Sequence, residues 1–418
     1  MKSWVWLLLA VFTCAVTLAY RQRILLPWEH YINVERGSLK AEMGDLYPRW
    51  VGTRELLLHG RNPYGPEVSH EIQTAFYGHA IEQTYNKPEA KILDEQRFAY
   101  PVYVVFLLAP TMDLDFAKVQ KWAPVAFGIF VALSVWLWLR VLDWRISHLS
   151  TVALILIVLS TPQMLQGFRL HQIGLFVFFL LALASWCVVR EHLFLAGVLL
   201  ALSTIKPQTV VLCVVWFLLW TLGGWKNRWR LAGGFAAATI ALVGAGELLL
   251  PRWPQYFLEG VEDYPKYFWT TSLTRLVLGN WIGGSLSIAA IGLLLAYAWS
   301  KRRVAAQSAD FVELLSMFFV ASALVLPLLI PFNQGLLLLP VFMLLRDWRT
   351  LPNYGRKAFV GLLAWPVIAA SILLIHPPDT HSITRTPFLP SALILLTPFL
   401  VCVLMFLRRE PPDLAKAE

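Results

Sequence analysis

Charged side chains are scarce in this sequence, and their scarcity excludes most soluble architectures. Only 15% of the 418 residues are Asp, Glu, Lys or Arg, whereas 58% are hydrophobic and the mean hydropathy is +0.60. Soluble domains carry about 25% charge and about 45–50% apolar residues, so this chain has too few charges to coat a water-facing surface. Cysteine is also sparse. Cys14, Cys187, Cys213 and Cys402 all lie inside apolar runs, which leaves neither a disulfide framework nor a zinc-ligand spacing. A glycine-rich phosphate loop and a nucleotide-sugar signature are missing as well.

What is present is a succession of apolar runs. They are Trp4–Tyr20, Val119–Leu139, Leu149–Met164, Gln172–Val189, His192–Ile205, Gln208–Leu222, Leu231–Leu250, Trp281–Trp299, Phe311–Ile330, Asn333–Leu345, Lys357–Ile375 and Leu389–Leu407. A full span needs about 20 apolar residues. The runs predict an all-α, polytopic helical bundle of about twelve transmembrane helices, one integral membrane domain over residues 1–418. The 192–205 and 333–345 runs are short enough to be tilted, broken or re-entrant. The first run follows Lys2 but lacks a small-x-small cleavage site, so it reads as a retained helix.

The net charge of +9 resembles nucleic-acid affinity until the bases are located. They gather in short turns: Arg140 and Arg145, Lys226 to Arg230, Lys301 to Arg303, Arg346 to Lys357, and Arg408 to Arg409. That pattern is the positive-inside signature of a cell-membrane protein and gives no reason to expect a nucleic-acid partner. It puts 165–171, the Lys206 junction, 251–280 and 376–388 on the external side. The 331–333 corner joins them if the run after it spans. Residues 99–112 are bracketed by Pro101 and Pro110 and read as a partial helix. If they do not cross, residues 21–98 form a long external loop and both termini are cytoplasmic, with 408–418 as a tail. If they do cross, that loop is cytoplasmic or another helix is miscounted.

A loop of that length exceeds what a helix reversal needs, and such loops are usually functional. Within it, Asp45–Gly60 reads as an interfacial helix, with Asp45 at the N-cap, Pro48 in the first turn and Gly60 as the stop. Leu46, Trp50 and Leu57 give it an apolar face, and Arg49, Thr53 and Arg54 a polar one. Asn62-Pro63-Tyr64-Gly65 forms a tight turn, and a second interfacial helix is expected over Val68–Tyr85. A carboxylate at position 45 has two readings: a helix cap, or a group that accepts a proton from an alcohol or ligates a metal.

Three stretches carry a family resemblance. GDLYPRWVGTRELLLHGRNPY (44–64), FAYPVYVVFLLAP (98–110) and LAGVLLALSTIKPQTVVL (195–212) resemble, in order and spacing, the glycosyltransferases of family 87, which have the GT-C fold. That family includes bacterial polyprenol-phosphate-mannose-dependent alpha-mannosyltransferases. Val102 replaces the family's second proline. GFRLHQIG (167–174) departs from its Gly-Gln, and Thr271-Ser272-Leu273 from its Asn-Ser-Leu.

The resemblance implies an inverting transfer of a hexose, in that family mannose, from a polyprenyl-phosphate donor to a hydroxyl of a glycolipid or glycan acceptor at the external face. No cofactor or metal is implied. Asp45 would be the catalytic base, and Lys206, followed by Pro207, would hold the donor phosphate. Arg169, His171 and Arg275 are further phosphate or sugar candidates, with interfacial anchoring as their alternative, and Tyr100 would wall the donor's access. His376, Asp379 and His381 offer a metal-binding alternative, with Arg385 close by. A membrane transporter and a lipid-linked oligosaccharide ligase or polymerase are the competing functions.

Overall fold

The computed structural model describes residues 3–35, 43–81, 96–263, 271–328, 330–379, 381–382, 386–391, 393 and 396–408. The expected 82–85 end of the second loop helix, Tyr264, Tyr267 and Trp269 of the 251–280 loop, Arg385 and the tail beyond Arg408 lie outside them. The described chain is helical from end to end. In order it comprises α1 (Ser3–Tyr20), α2 (Leu26–Glu35), α3 (Leu46–His59), α4 (Pro66–Tyr77), α5 (Val104–Leu108), α6 (Phe116–Val141), α7 (His148–Leu159) and α8 (Pro162–Arg169). Then follow α9 (Gly174–Val189), α10 (Leu193–Ser203), α11 (Pro207–Gly223), α12 (Trp225–Leu249), α13 (Trp253–Asp263), α14 (Leu273–Leu278) and α15 (Asn280–Ser300). The last are α16 (Ala309–Val325), α17 (Leu338–Arg346), α18 (Asn353–Ile375) and α19 (Thr397–Leu407).

The expectation of about twelve spans is overturned. Among the described residues five helices are long and apolar enough to cross a membrane: Ser3–Glu35, Phe116–Val141, Trp225–Leu249, Asn280–Ser300 and Asn353–Ile375. A sixth arises only if α7 and α8, bent by 61°, count as one span. Apolar runs overestimate spans because part of each run goes into turns and 3₁₀ segments. Asn333–Leu345, for example, divides into the 3₁₀ segment Pro331–Leu337 and the nine-residue α17. At about 1.5 Å per residue such a helix falls far short of a hydrocarbon core about 30 Å thick. The shorter helices instead fill the interior, where Trp216 stacks on Phe318 with ring centroids 5.7 Å apart. By contrast, Leu248 on α12 and Trp281 on α15 are 89% and 90% exposed, as lipid-facing residues would be. Short α10 lies tightly on α12. A side-chain carbon on Gly197 would come within 2.1 Å of the Leu231 carbonyl, and one on Gly234 within 2.1 Å of that of Phe194. Small residues permit this close approach.

The first helix does not stop at Tyr20. A π-helical turn, Arg21–Leu25, carries it into α2 and on to Glu35. The charges at 21 and 23 are no helix breakers, and Pro27, which has no N–H to donate, follows directly on the π turn. Residues 99–112 yield only α5 and one 3₁₀ turn, the partial helix expected. In the first loop, α3 ends at Gly60 (φ +66), whose N–H reaches the Leu56 carbonyl. The second loop helix begins at Pro66 and ends at Gly78 (φ +80). The buried face of α3 is wider than its pattern suggested. Thr53, expected on the polar side, is fully buried and donates to the Arg49 carbonyl at 2.7 Å.

The basic turns meet at one end of the bundle. Arg228 donates to the carbonyls of Trp220, Arg302 and Val304 at 2.8–2.9 Å. Arg346 donates to the Leu142 carbonyl at 2.8 Å, and Arg408 pairs with Asp347 and Glu313. The start of α3 and the α8–α9 and α10–α11 junctions lie at other helix ends, and they assemble the group described next.

Candidate active site

The α8–α9 turn is built to receive the first loop. Its backbone folds back through His171 N–H to the Phe168 carbonyl at 3.2 Å and Gln172 N–H to the Gly167 carbonyl at 2.9 Å, with His171 at φ +51. The Leu170 carbonyl then accepts from the Asp45 N–H at 2.8 Å, joining the start of α3 to the turn. Gly44 makes this junction possible. Its φ of +64 is a left-handed conformation, and a side-chain carbon there would lie 2.7 Å from both His171 Nδ1 and the Leu170 oxygen.

Asp45 precedes α3 as the sequence suggests, but its side chain does not cap the helix. The residue has right-handed helical torsions (φ −75, ψ −11) and makes no side-chain capping bond. Its Oδ2 instead accepts from Gln172 Nε2. The Gln172 Oε1 in turn accepts from Lys206 Nζ at 3.4 Å, and Lys206 also donates to Asn333 Oδ1 at 3.0 Å. Lys206 stands just before Pro207 at the α10–α11 junction, 5% exposed, with its ammonium 4.7 Å from the centre of the Phe332 ring. Asp45 and Lys206 make no direct ion pair. A neutral amide separates opposite charges and bonds to both.

Burial dominates the electrostatics. It raises the Asp45 carboxyl above the ordinary carboxylate range, although Arg49, Lys206 and Arg169 pull it back. The residue as a whole is half-buried. Burial lowers Lys206 to about 7 against the pull of Asp45. Tyr100 is buried beneath Arg49, whose guanidinium carbon lies 4.8 Å from the ring centre. Burial pushes its hydroxyl up to about 12, with Asp45 adding to the effect and Arg49 opposing it. The Tyr100 carbonyl accepts from Tyr64 of the Asn62–Gly65 turn at 2.6 Å, and Tyr103 bonds to Thr204 at 2.9 Å. The 98–110 stretch thereby ties the first loop to the Lys206 junction.

A model of glycosyltransferase family 87 matches residues 98–327, more than half of the chain. The chain belongs to glycosyltransferase family 87. No curated protein and no solved structure matches significantly. The family 87 segment contains Tyr100, Arg169, His171, Gln172, Lys206 and Arg275, whereas Asp45 and Asn333 lie outside it.

For a family 87 chain this arrangement suits a substrate with an acidic and a hydroxylic part. The Asp45 carboxylate can take a proton, and the Lys206 ammonium can hold an anion. Arg169 is engaged with Glu29 at 2.9 Å but remains within electrostatic reach of Asp45. His171 is buried, burial lowers its pKa, and its Nδ1 has no hydrogen-bond partner. Arg275 shares no hydrogen bond or ion pair with this group. It is exposed on α14, about 3.5 Å from where a side-chain carbon on Gly284 would stand. Among the described residues no three His, Cys, Asp or Glu side chains converge as metal ligands, so His376, Asp379 and His381 form no such set.

Three members of the group escaped the sequence reading. Gln172 lies inside GFRLHQIG, the stretch that seemed a departure from the family's Gly-Gln. Asn333 sits in the Pro-Phe-Asn-Gln-Gly break between apolar runs, a polar interruption that was the available signal. Arg49 read as polar surface, yet it donates to the Asp45 carbonyl at 2.8 Å and covers Tyr100.

Proposed function

We propose that this chain transfers a hexose, mannose by family resemblance, from a polyprenyl-phosphate donor to a hydroxyl of a glycolipid or glycan acceptor at the outer face of the cell membrane. The observation that carries the reading is the Asp45–Gln172–Lys206 chain, which sets a base and a cation side by side without letting them neutralise each other. In the reaction the acceptor oxygen attacks C1 of the sugar from the side opposite the phosphate. The C1–O bond to phosphorus breaks, its electron pair leaves on the polyprenyl phosphate, and Asp45 takes the hydroxyl proton. Lys206 balances the charge that grows on the phosphate oxygens, and such preorganised charge is the main catalytic resource in a water-poor site. The raised Asp45 pKa makes it a stronger base than an exposed carboxylate. A single displacement inverts the anomeric centre and needs no sugar–enzyme intermediate.

Asp45, with its loop, would face the external side. The test is transfer by purified full-length protein given polyprenyl-phosphate mannose, a nucleotide sugar, and glycolipid acceptors. Transfer from the lipid donor alone, with an alpha-linked product from a beta-linked donor, is expected. Transfer from the nucleotide sugar alone would contradict the proposal, as would solute uptake into vesicles without any transfer.

A further inference from the structure

Next to the Asp45 group, on the far side of Arg169, lies a cleft lined by α1, the turn after it, α8 and α18. One wall is the end of α1 and the π-helical turn after it, which present Tyr20, Arg21 and Leu25, with Glu29 one helical turn further on. π-turns inside helices recur at functional sites, since the extra residue redirects side chains. Arg169 at the end of α8 contributes the second cation. Pro366 and Ala370 of α18 and the Thr386–Ser391 turn close the far side.

The charges in this cleft do not balance. Glu29 is paired with Arg169 at 2.9 Å. The Arg21 guanidinium makes no hydrogen bond or ion pair among the described residues, though Glu29 and Arg169 both lie within its electrostatic reach. Two guanidinium groups thus share one carboxylate and leave one positive charge over. The adjoining surface is apolar, provided by Leu25, Leu165, Pro366 and Ala370. The Gln166 Oε1 is buried there without a donor. An excess cation among membrane-length helices is costly unless an anion meets it. Arginine is also the side chain whose planar fork best matches a phosphate.

We propose that the cleft is a lipid-phosphate site. A singly charged phosphodiester sits between Arg21 and Arg169, its hydrocarbon chain follows the α1 and α18 walls into the bilayer, and a headgroup hydroxyl donates to Gln166. An anionic phospholipid such as phosphatidylglycerol has this chemistry. The site needs no bond-making step, so it goes beyond the transfer reaction and is tested by binding alone.

The experiment is native mass spectrometry of the full-length protein, delipidated and then offered phosphatidylglycerol, polyprenyl-phosphate mannose, phosphatidylcholine or inorganic phosphate. One equivalent of phosphatidylglycerol should be retained and should not be displaced by the prenyl donor, and phosphatidylcholine should not be retained. Displacement of phosphatidylglycerol by the prenyl donor would give the cleft to the donor and contradict the proposal. Arg21→Gln should weaken retention about tenfold, as expected for a lost charge-assisted contact, and Arg21→Lys should restore part of it. Ser391→Trp, at the half-buried rim, should block the cleft while leaving both arginines in place. Undiminished retention in both Arg21→Gln and Ser391→Trp would overturn the proposal. So would equal retention of phosphatidylcholine, or occupancy by inorganic phosphate as strong as by lipid. Because no turnover is read, a failure of the transferase reading would leave this result intact, and the reverse also holds.

Discussion

Arg228 and Lys206 are both cations in a largely apolar bundle, yet they are held in opposite ways. Arg228 is saturated: its guanidinium donates to carbonyls of two separate turns and lies 3.9 Å from the centre of the Trp220 ring. Around it the other basic turns are likewise closed by carbonyls and carboxylates. Lys206 has two neutral amide oxygens and an aromatic face, and its nearest carboxylate is held away by Gln172. A saturated cation fastens helix ends together. An under-compensated one keeps its capacity for an anion that arrives later, at the cost of some stability.

That contrast can be broken by mutation. The largest effect on folding is expected from Arg228→Ala, which strips three carbonyls of a charged donor. At about 1.5–3 kcal/mol for a hydrogen bond to a charged group, and with partial rescue by water, a loss of roughly 3 kcal/mol should appear as a lower thermal midpoint, with donor affinity unchanged. Lys206→Met should do the reverse. Donor affinity should fall by about 30–100-fold, or roughly 2–3 kcal/mol, while the thermal midpoint holds or rises, because replacing a buried charge by an apolar group is often neutral or stabilising. If Lys206→Met unfolds the protein and Arg228→Ala leaves it intact, the two cations have been given the wrong roles.

Gly44→Ala tests the junction between loop and turn with a smaller change. Left-handed backbone costs a non-glycine residue about 1–2 kcal/mol, and the added carbon would also press on His171 and the Leu170 carbonyl. A roughly tenfold loss of kcat is expected from displacement of Asp45, with little change in donor binding. Wild-type turnover by this variant would show that the junction does not hold the carboxylate in place.

The pH profile sharpens the same contrast. As pH falls, Asp45 takes up its proton, and because burial raises its pKa, the acid limb of kcat/KM should lie above the usual carboxylate value of about 4. As pH rises through about 7, Lys206 in the donor-free protein loses its charge, so donor affinity should weaken on the alkaline side. A profile flat between pH 4 and 9 would contradict both statements. The smallest effect belongs to Arg275→Ala. That exposed side chain should alter stability by less than about 0.5 kcal/mol and transfer by less than about twofold. A large loss of transfer would bring Arg275 back to the donor.

Much of this was legible in the residues, and the reasons for the rest are physical. The helical class followed from apolar runs, and the α3 boundaries from Asp45, Pro48 and Gly60. The number of spans did not follow, because hydropathy cannot separate a lipid-facing helix such as α15 from a short interior one such as α17. Charged residues at 21 and 23 suggested an end to the first helix, where the backbone continues through a π turn instead. Lys206 and Asp45 stood out as polar groups at the edges of apolar segments. Gln172 did not, because an amide beside a turn has many ordinary uses, and its place between Asp45 and Lys206 exists only once three distant segments meet.

Central to the account is a carboxylate that moves a proton and does not merely begin a helix. Asp45→Asn is nearly isosteric and can still accept from the Gln172 amide, so kcat for sugar transfer is the direct readout, with donor binding measured separately. A fall in kcat of about 10²–10⁴, with donor affinity changed by less than about threefold, is the predicted result. Undiminished turnover by Asp45→Asn would contradict the account.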